Sequence, residues 1–248
     1  MRRQVCRRVR RRVGELGLSD LAAYRAYLET HPDEWEHLEA LTPITISRFY
    51  RDAAVFGALE REVLPALAAG RSRLRAWSAG CASGEEPYTL ALLWRHALAP
   101  RLGGVALDIL GTDVDPTMLR RAADARYQPS SLKELPEPWL SAGFEHQGGD
   151  YVVRPEQRAR VAFAPHDLRD PAPDGPFDLV LCRNVAFTYL ATEGQQHVLR
   201  HIAAALRPGG ALVLGLHVSL PEPSSDFEPW PRARAVRRRA GTGGVIHP

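Results

Sequence analysis

At 248 residues, with 45% hydrophobic and 25% charged side chains, the chain can hold one large α/β domain plus a small appendage. A net charge of +3 is too small to argue for nucleic acid as a partner, and no run approaches eighteen apolar residues, so no membrane insertion is expected. Three scattered cysteines, Cys6, Cys81 and Cys182, suit neither a disulfide framework nor a metal site; with no apolar signal segment after the first arginines, a cytoplasmic setting is expected.

In chain order, residues 1–44 predict a small helical domain. Val5, Val9, Val13 and Leu16 recur near helical spacing, and Arg2, Arg3, Arg7, Arg8, Arg10, Arg11 and Arg12 cover the remaining surface. Gly17 closes that helix, Ser19-Asp20 offers an N-cap for a second through Leu21, Tyr24 and Leu28, and a third runs from Glu34 to Ala40. The arginine stripe reads most simply as a solvated face. Its sharper reading is a docking surface for an acidic helical protein, because such a stripe steers carboxylate-rich surfaces.

A linker follows up to Asp52, then Phe56, Leu59, Val63 and Leu64 repeat at helical spacing. Leu74 to Trp77 reads as a buried strand, and Tyr88 to Trp94 as a helix packed on a sheet. Between them lie only small residues, among them Ala79, Gly80, Ser83 and Gly84, and the carboxylates Glu85 and Glu86. A strand that turns through small residues into a helix is how an open α/β sheet makes a nucleotide-sized crevice. Two carboxylates here would repel a pyrophosphate, which helix N-termini otherwise accept. The loop suits a ligand with hydroxyls and positive charge, and S-adenosylmethionine (SAM) has ribose hydroxyls, an ammonium and a sulfonium. The plain alternative is an ordinary strand-turn-helix with solvated glutamates.

Val105 to Thr112 reads as the second strand, and Asp113 at its end is the candidate for the ribose hydroxyls. Met118 to Ala125 predicts a helix. Residues 127–160 read as an insertion with a small hairpin through Gly148-Gly149-Asp150. Arg160 to Ala164 predicts a third strand, closed by His166-Asp167-Leu168. Phe177 to Cys182 is a fourth, apolar enough to be buried on both faces, with Arg183-Asn184 at its carboxyl end. A helix from Glu193 to Leu206, a strand from Ala211 to Gly215 and a last strand from Ala233 to Val236 complete the pattern. Alternating strands and helices predict a mostly parallel, Rossmann-like sheet carrying a small N-terminal helical domain, with the larger domain spanning 45–248. His197 and His201 lie four apart on one helix with no third ligand in view, so no metal is expected.

Four stretches together resemble the CheR family of SAM-dependent methyltransferases. They are T-x-S-x-F-Y-R-D at Thr45 to Asp52, W-S-A-G-C-A-S-G-E-E-P-Y-T at Trp77 to Thr89, F-D-L-V-L-C-R-N-V at Phe177 to Val185, and L-R-P-G-G-A-L-V-L-G at Leu206 to Gly215. The resemblance implies transfer of a methyl group to glutamate side chains of a chemoreceptor. It implies that Thr45, Ser47 and Arg51 line the SAM site from the linker, with Ala79, Gly80 and Glu86 at the crevice. Asp113 would take the ribose, Asp167-Leu168 would flank the adenine where the family more often has Asn-Leu, and Asn184 and Val185 would stand by the methionine part. Arg51 is the side chain expected to place the acceptor carboxylate, since a guanidinium fork matches it bidentately.

Besides Asp167, this sequence departs from the family in a short N-terminal helical region, in a Gly148-Gly149 segment small for docking a receptor tail, and at two places nearer the chemistry. The aromatic hydroxyl that would sit near the methyl group is Thr188 here, with Tyr189 one place later; one residue is about 100° around a helical turn. Tyr189 joins Arg51 as a catalytic candidate. The acid of the family's G-x-S-E-S is replaced by Val218. A methyltransferase for another protein or a small acid, and a SAM-binding signalling module without transfer, are the alternatives.

Overall fold

The computed structural model describes residues 2–31, 33–34, 37–38 and 47–241, with the backbone alone for residues 2–5. The chain divides into two units, Met1–Ile46 and Ser47–Pro248.

In the first unit, α1 (Arg2–Glu15) and α2 (Leu21–Thr30) bury Val13, Tyr24 and Leu28 against one another, with Val9, Leu16, Leu18 and Leu38 around them. Gly17 takes φ +67° and ends α1, a conformation that glycine adopts without steric cost. Asp20 caps α2, its carboxylate accepting the Ala23 N–H at 2.8 Å. One of the stripe arginines is half-buried and paired. Arg12 donates through Nε and Nη2 to the Glu34 carboxylate at 2.9 and 2.8 Å, and the Tyr24 hydroxyl donates to the same group at 2.9 Å.

The Arg12 hydrogen bonds hold the Glu34 carboxyl down at about 2, against 4.5 for an ordinary glutamate. A depressed carboxyl contributes stability that is complete above its unfolded value and lost as pH falls through the folded one. The helical unit is therefore expected to loosen between about pH 4.5 and pH 2. Glu34→Gln should cost ~2 kcal/mol at neutral pH, the loss of one charged partner from a partly buried pair. Hydrogen exchange of the α2 amides, about thirtyfold faster in the variant, checks this. A pH-independent difference between variant and parent would contradict it.

In the second unit, a helix over residues 53–68 (α3) precedes β1 (Arg73–Ala79), and a helix over residues 85–102 (α4) follows it. Then come β2 (Ala106–Asp113), α5 (Pro116–Asp124), β3 (Arg126–Tyr127), α6 (Glu137–Gly143), β4 (Phe144–Gln147), β5 (Asp150–Val153), α7 (Pro155–Arg158) and β6 (Val161–Pro165). The chain continues through β7 (Phe177–Leu181), α8 (Ala186–Tyr189), α9 (Thr192–Ala205), β8 (Leu206–Val213), β9 (Phe227–Pro229) and β10 (Val236–Arg239). Both α3 and α4 contain a π-helical turn, at Leu59–Val63 and Trp94–Leu98.

The seven-stranded sheet has the order β6-β2-β1-β7-β8-β10-β9. The first five strands are parallel, and β10 runs antiparallel to both neighbours. Every residue of β7 is buried, as its unbroken apolar run requires of a strand covered on both faces. One face packs Phe56, Leu59 and Leu64 of α3 and Leu90, Leu93 and Trp94 of α4 over Leu74, Ala76 and Ile109. The other packs Val198, Leu199 and Ile202 of α9 over Trp77, Val180 and Leu212. Each such aliphatic side chain contributes ~1.5–3 kcal/mol on burial.

Two expectations need correction. The insertion does hold a hairpin, β4 to β5, turning through Gly148 at φ +60° and Gly149 at φ +90°, but β3 pairs with β5 as well and makes a three-stranded sheet. The last strand is Val236–Arg239 rather than Ala233 to Val236. Its three arginines are half-buried, and Arg238 stacks over the Trp230 ring at 4.6 Å.

Candidate functional site

The chain leaves β1 toward β2 and β6 on one side of the sheet and returns to β7 and β8 on the other, so strand order reverses between β1 and β7. Ligands of open α/β sheets sit at the carboxyl ends of the strands beside such a reversal. The register pairs Ala79 with Thr112, Ser78 with Leu181 and Asp113 with Pro165. Gly80, Asp113, Asp167 and Asn184 therefore emerge along one rim. Two cavities, of about 250 and 440 Å³, lie elsewhere, and neither is lined by any of these four residues.

The loop after β1 is tied to the end of β2. The N–H groups of Gly80 and Cys81 both donate to the Thr112 carbonyl at 2.8 Å. The Asp113 carboxylate accepts the Ala82 N–H at 2.8 Å and the Asp115 N–H at 2.9 Å. Each oxygen keeps a lone pair for a ligand. At Gly80, φ is +78° and a Cβ would stand 2.7 Å from a Val185 methyl, so only glycine lets the crevice loop meet the end of β7. From the insertion, the Tyr127 hydroxyl donates to the Ser83 carbonyl at 2.7 Å and props the loop from behind.

Glu86 stands in the first turn of α4. Its Oε1 accepts the Ser78 hydroxyl at 2.7 Å and its Oε2 accepts Nη1 of Arg183 at 3.0 Å. Arg183 is 6% exposed, and its Nη2 donates onward to the Asp52 carboxylate at 2.7 Å and to the Arg51 carbonyl at 2.8 Å. The guanidinium lies over the Phe56 ring at 5.2 Å. Glu85 turns away from this group and accepts the Ser83 hydroxyl at 2.9 Å.

The linker is built into the wall. Phe49 is fully buried, edge-on to Tyr127 and Phe144, and the Tyr50 N–H donates to Thr89 Oγ1 at 3.0 Å. Tyr50 and Asp52 take φ +57° and +61° on either side of Arg51, a left-handed conformation that costs ~1–2 kcal/mol for a residue with a Cβ. Across the rim, Arg169 donates through Nη2 and Nε to the Asp167 carboxylate, and these hydrogen bonds hold its carboxyl below the usual range. Asp167 is thus a charged acceptor. Leu168 packs beneath it on the α9 face.

The expected site residues fall into three groups. Ser47, Arg51, Ala79, Gly80, Glu86, Asp113, Asn184 and Val185 lie on the linker or at the ends of β1, β2 and β7, and Asp167-Leu168 follow β6. Thr45 lies outside the described residues. Tyr189 ends the single turn α8 and is 66% exposed, and Thr188 beside it is exposed too. Burial raises the Cys81 thiol far above its ordinary value and that of Cys182 to about 12, so neither is a nucleophile at neutral pH. Among the described residues no group of three or more His, Cys, Asp or Glu could hold a metal ion.

Sequence reasoning left out Ser78, Asp52 and the role of Arg183. Arg183 reads as a rim residue because its carboxylate partners, Glu86 and Asp52, are 97 and 131 positions away. The available signal was an arginine directly after a buried strand, where a cation requires a partner.

Comparison with known proteins identifies the family. The family model for the CheR methyltransferase SAM-binding domain matches residues 45–236, and that for the CheR methyltransferase all-alpha domain matches residues 2–41. A chemotaxis protein methyltransferase of Listeria monocytogenes is 38% identical over 177 residues, covering 71% of this chain and 66% of that protein. One from Klebsiella aerogenes is 33% identical over 238 residues, covering 91% of this chain and 78% of that protein. An uncharacterized 104.1 kDa protein of Rhodobacter capsulatus is 37% identical over 226 residues, covering 90% of this chain but 24% of that protein. The chain thus spans from a quarter to three quarters of the lengths of these relatives. With both of its family models matched in order along one chain, this protein belongs to the CheR methyltransferase family.

Proposed function

We propose that the chain transfers a methyl group from SAM to carboxylates of a protein, with glutamates of a chemoreceptor's cytoplasmic helices as the acceptor class. The observation that carries the reading is the acceptor set of the crevice: two carboxylates, Glu86 in the first turn of α4 and Asp113 at the end of β2, stand on either side of the glycine loop, where they would repel a phosphate. That set fits hydroxyls and a cation. SAM, when bound, supplies an electrophilic methyl group on a cationic sulfur. Asp113 would hold the ribose hydroxyls, Glu86 the positive end, Asp167 and Leu168 the adenine, and Asn184 and Val185 the methionine part, with Ser47 closing the linker side.

An acceptor glutamate is ionised near neutral pH, its ordinary pKa being about 4.3, so the protein needs no general base. The task left to its side chains is to orient the two reactants and keep water out. We assign Arg51 to the acceptor carboxylate. Tyr189, exposed beside the rim, belongs on the acceptor side rather than beneath the cofactor. The arginine stripe of α1 supports an acidic helical partner, since Arg7, Arg8, Arg10 and Arg11 are exposed or nearly so.

The test is incubation with SAM and cytoplasmic receptor fragments from the same organism, reading base-labile methyl groups released as methanol. Tight SAM binding without such release would favour a signalling module that binds SAM. No SAM binding by calorimetry would end the SAM reading altogether.

A further inference from the structure

We propose that Arg183 is a positioning residue that couples the loaded crevice to the placement of Arg51; the proposal rests on the reading of Glu86 as a cofactor contact. Three acceptors share one guanidinium: Glu86 in the crevice, the Asp52 carboxylate and the Arg51 carbonyl in the linker. The planar fork serves them together, which a lysine ammonium on a flexible stem cannot do with the same geometry. Arg183 thus bonds to both the crevice carboxylate and the linker.

The charges give the coupling its direction. One buried cation lies between two carboxylates, so the cluster carries a net charge of −1. A positive group arriving at Glu86 competes with Arg183 for that carboxylate. The guanidinium then leans on its remaining acceptors, both in the linker, and tightens the segment that carries Arg51. That segment is also anchored by the Tyr50 N–H on Thr89 and by the Tyr50 ring against Phe56 and Trp139, and it is bent through two left-handed residues that would relax if released. Loading the cofactor first thereby sets the acceptor-binding arginine. By reciprocity, an acceptor gripped by Arg51 would tighten the cofactor.

The experiment is hydrogen exchange on the full chain, with and without SAM, in the parent, Arg183→Lys and Asp52→Asn. Asp52→Asn leaves the Arg183–Glu86 pair in place and weakens only the linker arm, so it serves if the lysine variant folds poorly. Without cofactor, exchange over residues 50–53 should be at least tenfold faster in both variants, while β1, β2 and β7 stay protected. With SAM, the parent should gain at least tenfold protection in that segment, and the variants should bind SAM within about fivefold of the parent yet gain none. Turnover on receptor fragments should then fall through the acceptor KM rather than through SAM affinity. Unchanged exchange over 50–53 in the variants would overturn the proposal, and so would loss of SAM binding as complete as in Asp113→Ala. The cofactor-free comparison decides the matter even if the parent fails to bind SAM, an outcome that counts against the function and not against the tether.

Discussion

Asp113→Ala is expected to weaken SAM binding by about 10²–10³-fold. On the proposed reading the carboxylate has two duties: it fixes the loop through Ala82 and the start of α5 through Asp115, and its remaining lone pairs would take ribose hydroxyls. A hydrogen bond to a charged acceptor is worth ~1.5–3 kcal/mol, so two of them would contribute ~3–6 kcal/mol, and the expected loss lies toward the lower end of that range. Freeing the loop adds to the loss, because the glycine segment then samples conformations that do not bind. Asp113→Asn keeps one acceptor oxygen and should lose about tenfold. Calorimetry measures both. A loss under fivefold for the alanine variant would move the ribose contact to another carboxylate on the rim. A thermal transition matching the parent's would show that the sheet survives, as expected for a half-buried residue at a strand end.

Arg51→Ala is the complementary case. SAM affinity should stay within about threefold, while kcat/KM for the acceptor falls by about 10²–10³-fold, the value of a bidentate guanidinium–carboxylate contact. Arg51→Lys should recover little, because a point charge cannot reproduce the fork. If SAM affinity collapses along with turnover, Arg51 belongs to the cofactor, and the acceptor must be held by another group. Contrasting the two variants separates the halves of the pocket: one should fail in binding, the other in transfer.

The legible part of this protein was what the local chain encodes. Continuous apolar runs gave β1, β2, β7 and β8; the order of those strands then placed Gly80, Asp113 and Asn184 on one rim. The paired glycines gave the β4–β5 turn because left-handed conformations demand them. What escaped were features set by distant partners. The Glu86–Arg183–Asp52 chain joins three stretches of sequence, and each member alone looks like a solvated or rim residue. The strand Val236–Arg239 has no apolar alternation, its stability coming from the pairing with β8 and β9 and from arginine stems on the surface. The π-helical turns leave no mark in composition at all.

The burial of Phe49 has a consequence for anyone shortening the chain. The split between the two units falls just ahead of Ser47, and the helix α3 begins only at Ala53, which makes Ala53 the tempting place to start. Starting there would remove the ring that fills the space between Tyr127 and Phe144, together with two of the three acceptors of Arg183. A buried guanidinium deprived of a carboxylate costs ~3–5 kcal/mol, a large share of what holds a domain folded. The six residues from Ser47 to Asp52 therefore belong to the second unit by energy, whatever a secondary-structure diagram suggests, and a shortened chain has to begin no later than Ser47.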